Sequence, residues 1–140
     1  MPFGLEKLRG GAAGASGNVD YRLARQAAVS DFRKGRLARH EVCDAHHELL
    51  RAARNVGEES KQQCPICDDA RVVLVTYVFG TRLPAGGRCV TTRTEMQRLA
   101  RGSADRVAYV VEVCPGCGWN HLARTFPLGP GRSPRSAPSG

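Results

Sequence analysis

Six cysteines are distributed along this chain, and four of them form two short pairs, Cys64-Pro65-Ile66-Cys67 and Cys114-Pro115-Gly116-Cys117. A Cys-x-x-Cys turn presents two sulfurs from one small piece of backbone. Two such turns supply the four soft ligands that a tetrahedral Zn²⁺ takes at about 2.3 Å. Proline after the first cysteine of each pair pre-sets a turn φ, and Gly118 after the last permits the positive φ that wraps amide groups around a sulfur. The expected cofactor is one structural zinc ion held by Cys64, Cys67, Cys114 and Cys117. Four thiolates leave no open coordination position, so this chemistry stabilises a fold and does not activate water.

Other chemistries for these cysteines need features of their own. Two disulfides would call for an oxidising compartment, and residues 1–17 lack the continuous apolar stretch of a signal peptide, so a cytoplasmic location is expected. The Cys-Pro-x-Cys-Gly form of the second pair resembles the rubredoxin knuckle, which keeps an iron electron carrier open as an alternative. A thioredoxin-like dithiol would need a βαβ pattern around a pair, and neither pair has one. Cys43 and Cys89 are unpaired in sequence and read as small buried hydrophobes.

Further constellations bear on the chemistry. His40, Cys43 and His47 fall at i, i+3 and i+7, along one face if a single helix holds all three, with Asp44 beside them; they lack a fourth ligand. The string His46-His47-Glu48-Leu49-Leu50 is not the His-Glu-x-x-His of zinc proteases, because no second histidine follows at the required spacing. There is no Gly-x-Ser-x-Gly elbow and no Gly-rich phosphate loop, so no catalytic residue and no small-molecule substrate are expected, and the chain reads as a non-enzyme. Trp119, which directly follows the second pair, either shields the thiolates or offers a stacking surface to a base or protein partner. His121 is placed to donate toward a sulfur or a backbone carbonyl.

The elements that must carry these residues follow from periodicity. From Val19 a helical pattern with Leu23, Ala24, Ala27, Ala28 and Phe32 on its apolar stripe runs to Gly35. A second helical stretch lies around Arg39–Asp44, and Leu49, Leu50, Ala52, Ala53 and Val56 mark a third that Gly57 closes. Three short helices in this order suggest either a helix-turn-helix, with Arg51 and Arg54 turned toward phosphates, or a helical cap on a sheet. Residues 72–79 are β-branched, aromatic and apolar on both faces, so a strand there must be covered on both sides. Residues 107–113 repeat that pattern less fully and run into the second cysteine pair, and 120–126 can add a third strand. Between the long strands, the insert 81–105 reads as a loop followed by a helix over 94–101. Arg88, Arg93, Arg98 and Arg101 make it basic, as a contact element or as a solvated connection.

The fold class expected is α+β, with an N-terminal three-helix segment packed on a small antiparallel zinc-ribbon sheet. Residues 18–126 form one domain in this reading, with helices in 18–57, the ribbon in 62–126 and the insert at 81–105. The segments 1–17 and 127–140, rich in Gly, Ala, Pro and Ser, are expected to be disordered. The formal net charge is +8, and arginine far outnumbers lysine. A zinc ion on four thiolates lowers that charge by about two and leaves the protein basic. That sign suits nucleic acid, an acidic protein surface or a ribonucleoprotein as partner. No stretch approaches the length of a transmembrane helix, so no membrane partner is expected.

The segments VDYRLARQAA, EVCDAHHELLRAARNVGE, CPICD, VTYVFG and YVVEVCPGCGWNHLARTF together resemble an actinobacterial family of small zinc-ribbon-like proteins of unknown function. The resemblance spans nearly all of residues 19–126 and is most specific from Val110 to His121. It implies an intracellular bacterial protein with zinc on the four paired cysteines, and it supplies no catalytic residue. The function expected is a non-enzymatic zinc-binding adaptor or regulator docking on a transcription or translation assembly, RNA polymerase or the ribosome. A DNA-binding regulator using the helix-turn-helix-like half is the alternative, with the rubredoxin-like carrier second. Arg51, Arg54, Arg98, Arg101 and Trp119 are the candidate contact residues.

Overall fold

Alternating apolar residues on both faces of residues 71–80 produce the central strand of an antiparallel sheet. The computed structural model describes residues 18–101 and 105–128 and is α+β, with four helices among the described residues. The strands are β1 (Val19–Asp20), β2 (Glu58–Gln63), β3 (Arg71–Gly80), β4 (Arg88–Val90), β5 (Arg106–Val113) and β6 (Asn120–Leu128). The helices are α1 (Arg22–Arg33), α2 (Arg39–Val42), α3 (His47–Val56) and α4 (Arg93–Ala100). Strand order is β1-β6-β5-β3-β2, and β4 also pairs with β3. β2 and β4 share one edge of β3: Glu58 to Gln63 lie along Leu74 to Arg71, and Arg88 to Val90 lie along Val78 to Thr76.

Both faces of this sheet are covered, as a strand apolar on both sides requires. On one face Val73, Val75, Tyr77, Tyr109, Val111 and Val113 pack with Leu49 and Ala53 of α3. Leu49 and Ala53 are one helical turn apart, so a single stripe of α3 meets the sheet. On the other face Val78, Ala108, Val110, Phe126 and Leu128 pack with Leu99 and Ala100 of α4. The insert is therefore a covering element of the core, and its charged residues lie on the outside of α4. Gly57 ends α3 where a Cβ would lie 2.7 Å from Val73 Cγ2, so only glycine lets the chain turn there into β2.

Several boundaries differ from those expected, each for a local reason. α1 begins at Arg22 because Val19 and Asp20 pair with Thr125 and Arg124 of β6. Its buried stripe also differs: Leu23 is 80% exposed, while Val29 is buried and Ala28 and Phe32 are partly buried. β2, with the sequence EESKQQ, carries no apolar alternation, since as an edge strand it is exposed along most of its length. β4 lies in the stretch read as a loop. β6 continues through Pro127 to Leu128, whose side chain is buried, so these two residues belong to the sheet and not to a disordered tail. Among the described residues the sheet thus has six strands where three were expected. The remaining disorder expected for 1–17 and 129–140 lies outside the described residues.

Candidate metal centre

Each cysteine pair closes a turn in which the backbone bonds to itself before any ion is considered. In the first turn the Asp68 amide donates to the Cys64 carbonyl at 3.1 Å, and the Cys64 amide donates to the Ala70 carbonyl at 2.8 Å. In the second, the Gly118 amide donates to the Cys114 carbonyl at 3.0 Å and the Cys114 amide to the Trp119 carbonyl at 2.8 Å. The residue four places after the first cysteine takes a positive φ in both turns, 55° at Asp68 and 93° at Gly118. The φ of 93° favours glycine at the second of these positions, and a Cβ there would also press on the Cys43 carbonyl oxygen at 3.2 Å. The two turns sit at the same end of the sheet. The register rows Gln63–Arg71, Val73–Val113 and Val113–Asn120 bring together the end of β2, the start of β3, the end of β5 and the start of β6.

The four sulfurs, Sγ of Cys64, Cys67, Cys114 and Cys117, all lie within 4.8 Å of one another. Across the two turns, Cys64 to Cys117 is 3.7 Å and Cys67 to Cys114 is 3.7 Å. A tetrahedral thiolate site with metal–sulfur bonds of about 2.3 Å sets its sulfurs about 3.8 Å apart. The cluster therefore fits one tetrahedral ion. Backbone amides complete the surroundings: Ile66 N–H points to Cys64 Sγ, Cys117 N–H to Cys114 Sγ and Trp119 N–H to Cys117 Sγ, each at 3.4 Å. Cys64 and Cys114 are fully buried, and Cys67 and Cys117 are partly so. Without an ion, burial pushes the Cys64 and Cys117 thiols up to about 12. Burial opposes ionisation at Cys67 as well, but there the Asp69 and Ala70 amides prevail and bring the thiol down to about 7. Loading such a cluster releases thiol protons.

Around the sulfurs lies a mixed shell of apolar and polar groups. Val29, Val42, Val72 and Trp119 are buried against the cysteines. Trp119 is fully buried and donates Nε1–H to Glu112 Oε2 at 2.8 Å, while Arg25 Nε donates to Glu112 Oε1 at 2.7 Å. This corrects one candidate contact: a tryptophan with its ring in the core and its N–H on a carboxylate has no face to stack on a base. His121 is buried as well, stacks beside Trp119 with ring centroids 5.8 Å apart, and its Nδ1 lies 2.8 Å from the Leu122 carbonyl, so that nitrogen carries the proton. That bond goes to a backbone carbonyl. The buried Glu112, linking α1, β5 and the tryptophan, was not identified by sequence reasoning. One charged residue inside the otherwise apolar run 107–113 was the available signal.

The other candidates are spread over the molecule. Arg54 donates to the Pro115 carbonyl at 3.0 Å and so ties α3 to the second cysteine turn. Arg51 is exposed and lies 3.5 Å from Glu48. Arg98 and Arg101 are exposed at the end of α4, with Arg101 as its C-cap, and Arg88 pairs with Glu95. His40, Cys43 and His47 do not share a helix: Cys43 caps the end of α2 and His47 begins α3. His46 caps α3 by accepting the Glu48 amide at 3.1 Å. Cys89 is half-buried in β4 opposite Tyr77. Cys43 is also half-buried, but its environment is not simply apolar, because its Sγ lies 3.3 Å from Cys117 Sγ.

Residues 14–139 match the family described as "Family of unknown function (DUF5318)". The chain belongs to that family. It is 40% identical over 122 residues to "Uncharacterized protein Rv0049" of Mycobacterium tuberculosis strain H37Rv, covering 85% of this chain and 89% of the relative. The same figures hold for "Uncharacterized protein Mb0050" of Mycobacterium bovis. These relatives agree with the resemblance to small actinobacterial proteins of unknown function. No solved structure matches the chain significantly. Among the described residues no helix is long and apolar enough to cross a membrane.

Proposed function

We propose that this protein is a non-enzymatic zinc-binding adaptor of the cytoplasm, in which one structural Zn²⁺ on Cys64, Cys67, Cys114 and Cys117 fixes a small sheet that docks on a transcription or translation assembly. The observation that supports a metal at this site is the pair of cross-turn sulfur separations of 3.7 Å, within about 0.1 Å of those of a tetrahedral thiolate site. Four sulfurs complete the coordination shell, so the ion holds the two turns together and leaves no place for substrate. The net charge of +8 and the outward arginines of α4 favour an anionic assembly as partner. Docking through the recognition-helix reading of α3 is less favoured, because α3 commits its apolar stripe to the sheet and Arg54 to the Pro115 carbonyl.

Two measurements test this reading. Metal analysis of protein purified without added metal should return zinc in a one-to-one ratio, in a colourless protein; a red iron-containing protein would replace the adaptor with an electron carrier. Co-purification of the tagged chain from its native cell, with and without nuclease, should enrich polymerase or ribosomal proteins that resist nuclease. Enrichment that nuclease abolishes would transfer the function to direct nucleic-acid binding.

A further inference from the structure

A fifth sulfur stands next to the cluster, and the fold holds it there. Cys43 Sγ is 3.3 Å from Cys117 Sγ, closer than either 3.7 Å separation across the two turns. The two residues that follow it are tied to the second turn and the start of β6. The Ala45 amide donates to the Gly118 carbonyl at 3.1 Å, and Asn120 Nδ2 donates to Asp44 Oδ1 at 3.0 Å. Gly118 lacks a side chain at the point where the Cys43 carbonyl approaches. A tetrahedral ion takes four ligands and has no use for a fifth, so Cys43 keeps a free thiol beside a coordinated thiolate.

We infer that Cys43 and Cys117 form an oxidative modification site, in which a hydroperoxide converts the pair to a disulfide and thereby releases the metal. The inference rests on the reading that the cluster holds zinc. The Cys117 thiolate attacks the peroxide; an S–O bond forms as the O–O bond breaks, and the departing hydroxide takes a proton to become water. The Cys43 thiol then gives up its proton and its sulfur attacks Cys117 Sγ; the S–S bond forms and the S–O bond breaks, releasing a second water. Two electrons pass from the sulfurs to one peroxide. Closing the pair from 3.3 Å to the disulfide length of about 2.05 Å needs a local shift of little more than 1 Å. Cys117 is then lost to the ion, which is left with Cys64, Cys67 and Cys114. The structural consequence is loosening of the end of the sheet where β2, β3, β5 and β6 meet.

The experiment uses the full zinc-loaded chain treated with hydrogen peroxide, with zinc release followed by a chromogenic chelator and disulfides located by non-reducing peptide mapping. The result expected is stoichiometric zinc release together with a Cys43–Cys117 peptide, both reversed by dithiothreitol and added zinc. Cys43→Ser should retain zinc before oxidation and release it about tenfold more slowly, without that peptide. Cys89→Ser should behave as the unaltered chain. Equal release rates from Cys43→Ser and the parent, or disulfides confined to the four paired cysteines, would overturn the assignment. Should Cys43→Ser not fold, Cys43→Ala and the peptide map of the parent decide it in the same way. A reduced protein that binds no zinc overturns the zinc reading and the release step with it, while the map still decides the pairing.

Discussion

The two ends of the sheet are held by different physics. At one end, the row Val78–Ala108–Phe126 packs with Leu128, Val90 and Leu99 in an ordinary apolar cluster. At the other, Val113–Asn120 leads into the cysteine turns, where the buried polar residues Glu112, Asn120 and His121 gather. Each of these has a directed partner: Arg25 and Trp119 for Glu112, Asp44 and the Gly118 carbonyl for Asn120, the Leu122 carbonyl for His121. Apolar packing is non-directional and tolerates volume-conserving change, so its losses are graded. Thiolate ligation and buried hydrogen bonds are directional, so the loss of one member leaves the others unsatisfied. One end of the molecule should therefore fail gradually and the other abruptly.

On the proposed zinc reading, removing the metal, or Cys114→Ser, gives the largest expected effect. Zinc contributes on the order of 10 kcal/mol to folding in small fingers, so the metal end should unfold and the cooperative thermal transition should collapse. A sharp, unshifted melting curve in metal-free protein would abolish the contrast between the ends. Phe126→Ala should cost about 3–5 kcal/mol at the apolar end with zinc content unchanged, whereas Phe126→Leu should cost far less. Chemical denaturation with parallel metal analysis separates the two ends, and zinc loss in Phe126→Ala would show that they are coupled. Glu112→Gln removes the charge that faces Arg25 and leaves one acceptor oxygen for two donors, Arg25 Nε and Trp119 Nε1, so a loss of about 2–3 kcal/mol is expected, together with a change in Trp119 fluorescence. Gly118→Ala should cost about 1–2 kcal/mol or more, since alanine would occupy a positive φ and press on the Cys43 carbonyl, and zinc titration should report weaker binding. Leu23→Ser, on the 80% exposed outer side of α1, should change stability by less than about 0.5 kcal/mol.

The four-cysteine cluster was legible because Cys-x-x-Cys geometry is local: two sulfurs per turn follow from a few backbone angles, and only the meeting of the turns needs the fold. The long strands β3 and β5 were legible for a similar reason, since their apolar alternation is dense enough to announce itself. β2 was not, because a solvated edge strand needs no apolar residue and takes its conformation from hydrogen bonds to β3. The apolar stripe assigned to α1 failed at Leu23 because helical spacing names several equivalent faces, and the sheet selected the one bearing Val29 and Arg25. The insert gave no sign of its role, yet Leu99 and Ala100 make α4 the cover of one face. Trp119 had two readings in sequence, and the carboxylate of Glu112 selected the buried one.

By itself the sequence determined what local chemistry can determine: four cysteines in two turns, two long strands that demand cover on both faces, helices ended by glycine, and an excess of positive charge. Only the tertiary structure decided which helix covers which face, that Arg54 holds the second cysteine turn, and that Cys43 lies 3.3 Å from Cys117. The physical reason is range. Turn angles and side-chain alternation act between neighbours in the chain, whereas the approach of Cys43 to Cys117 spans 74 positions and exists only after the sheet has brought the second turn against the end of α2.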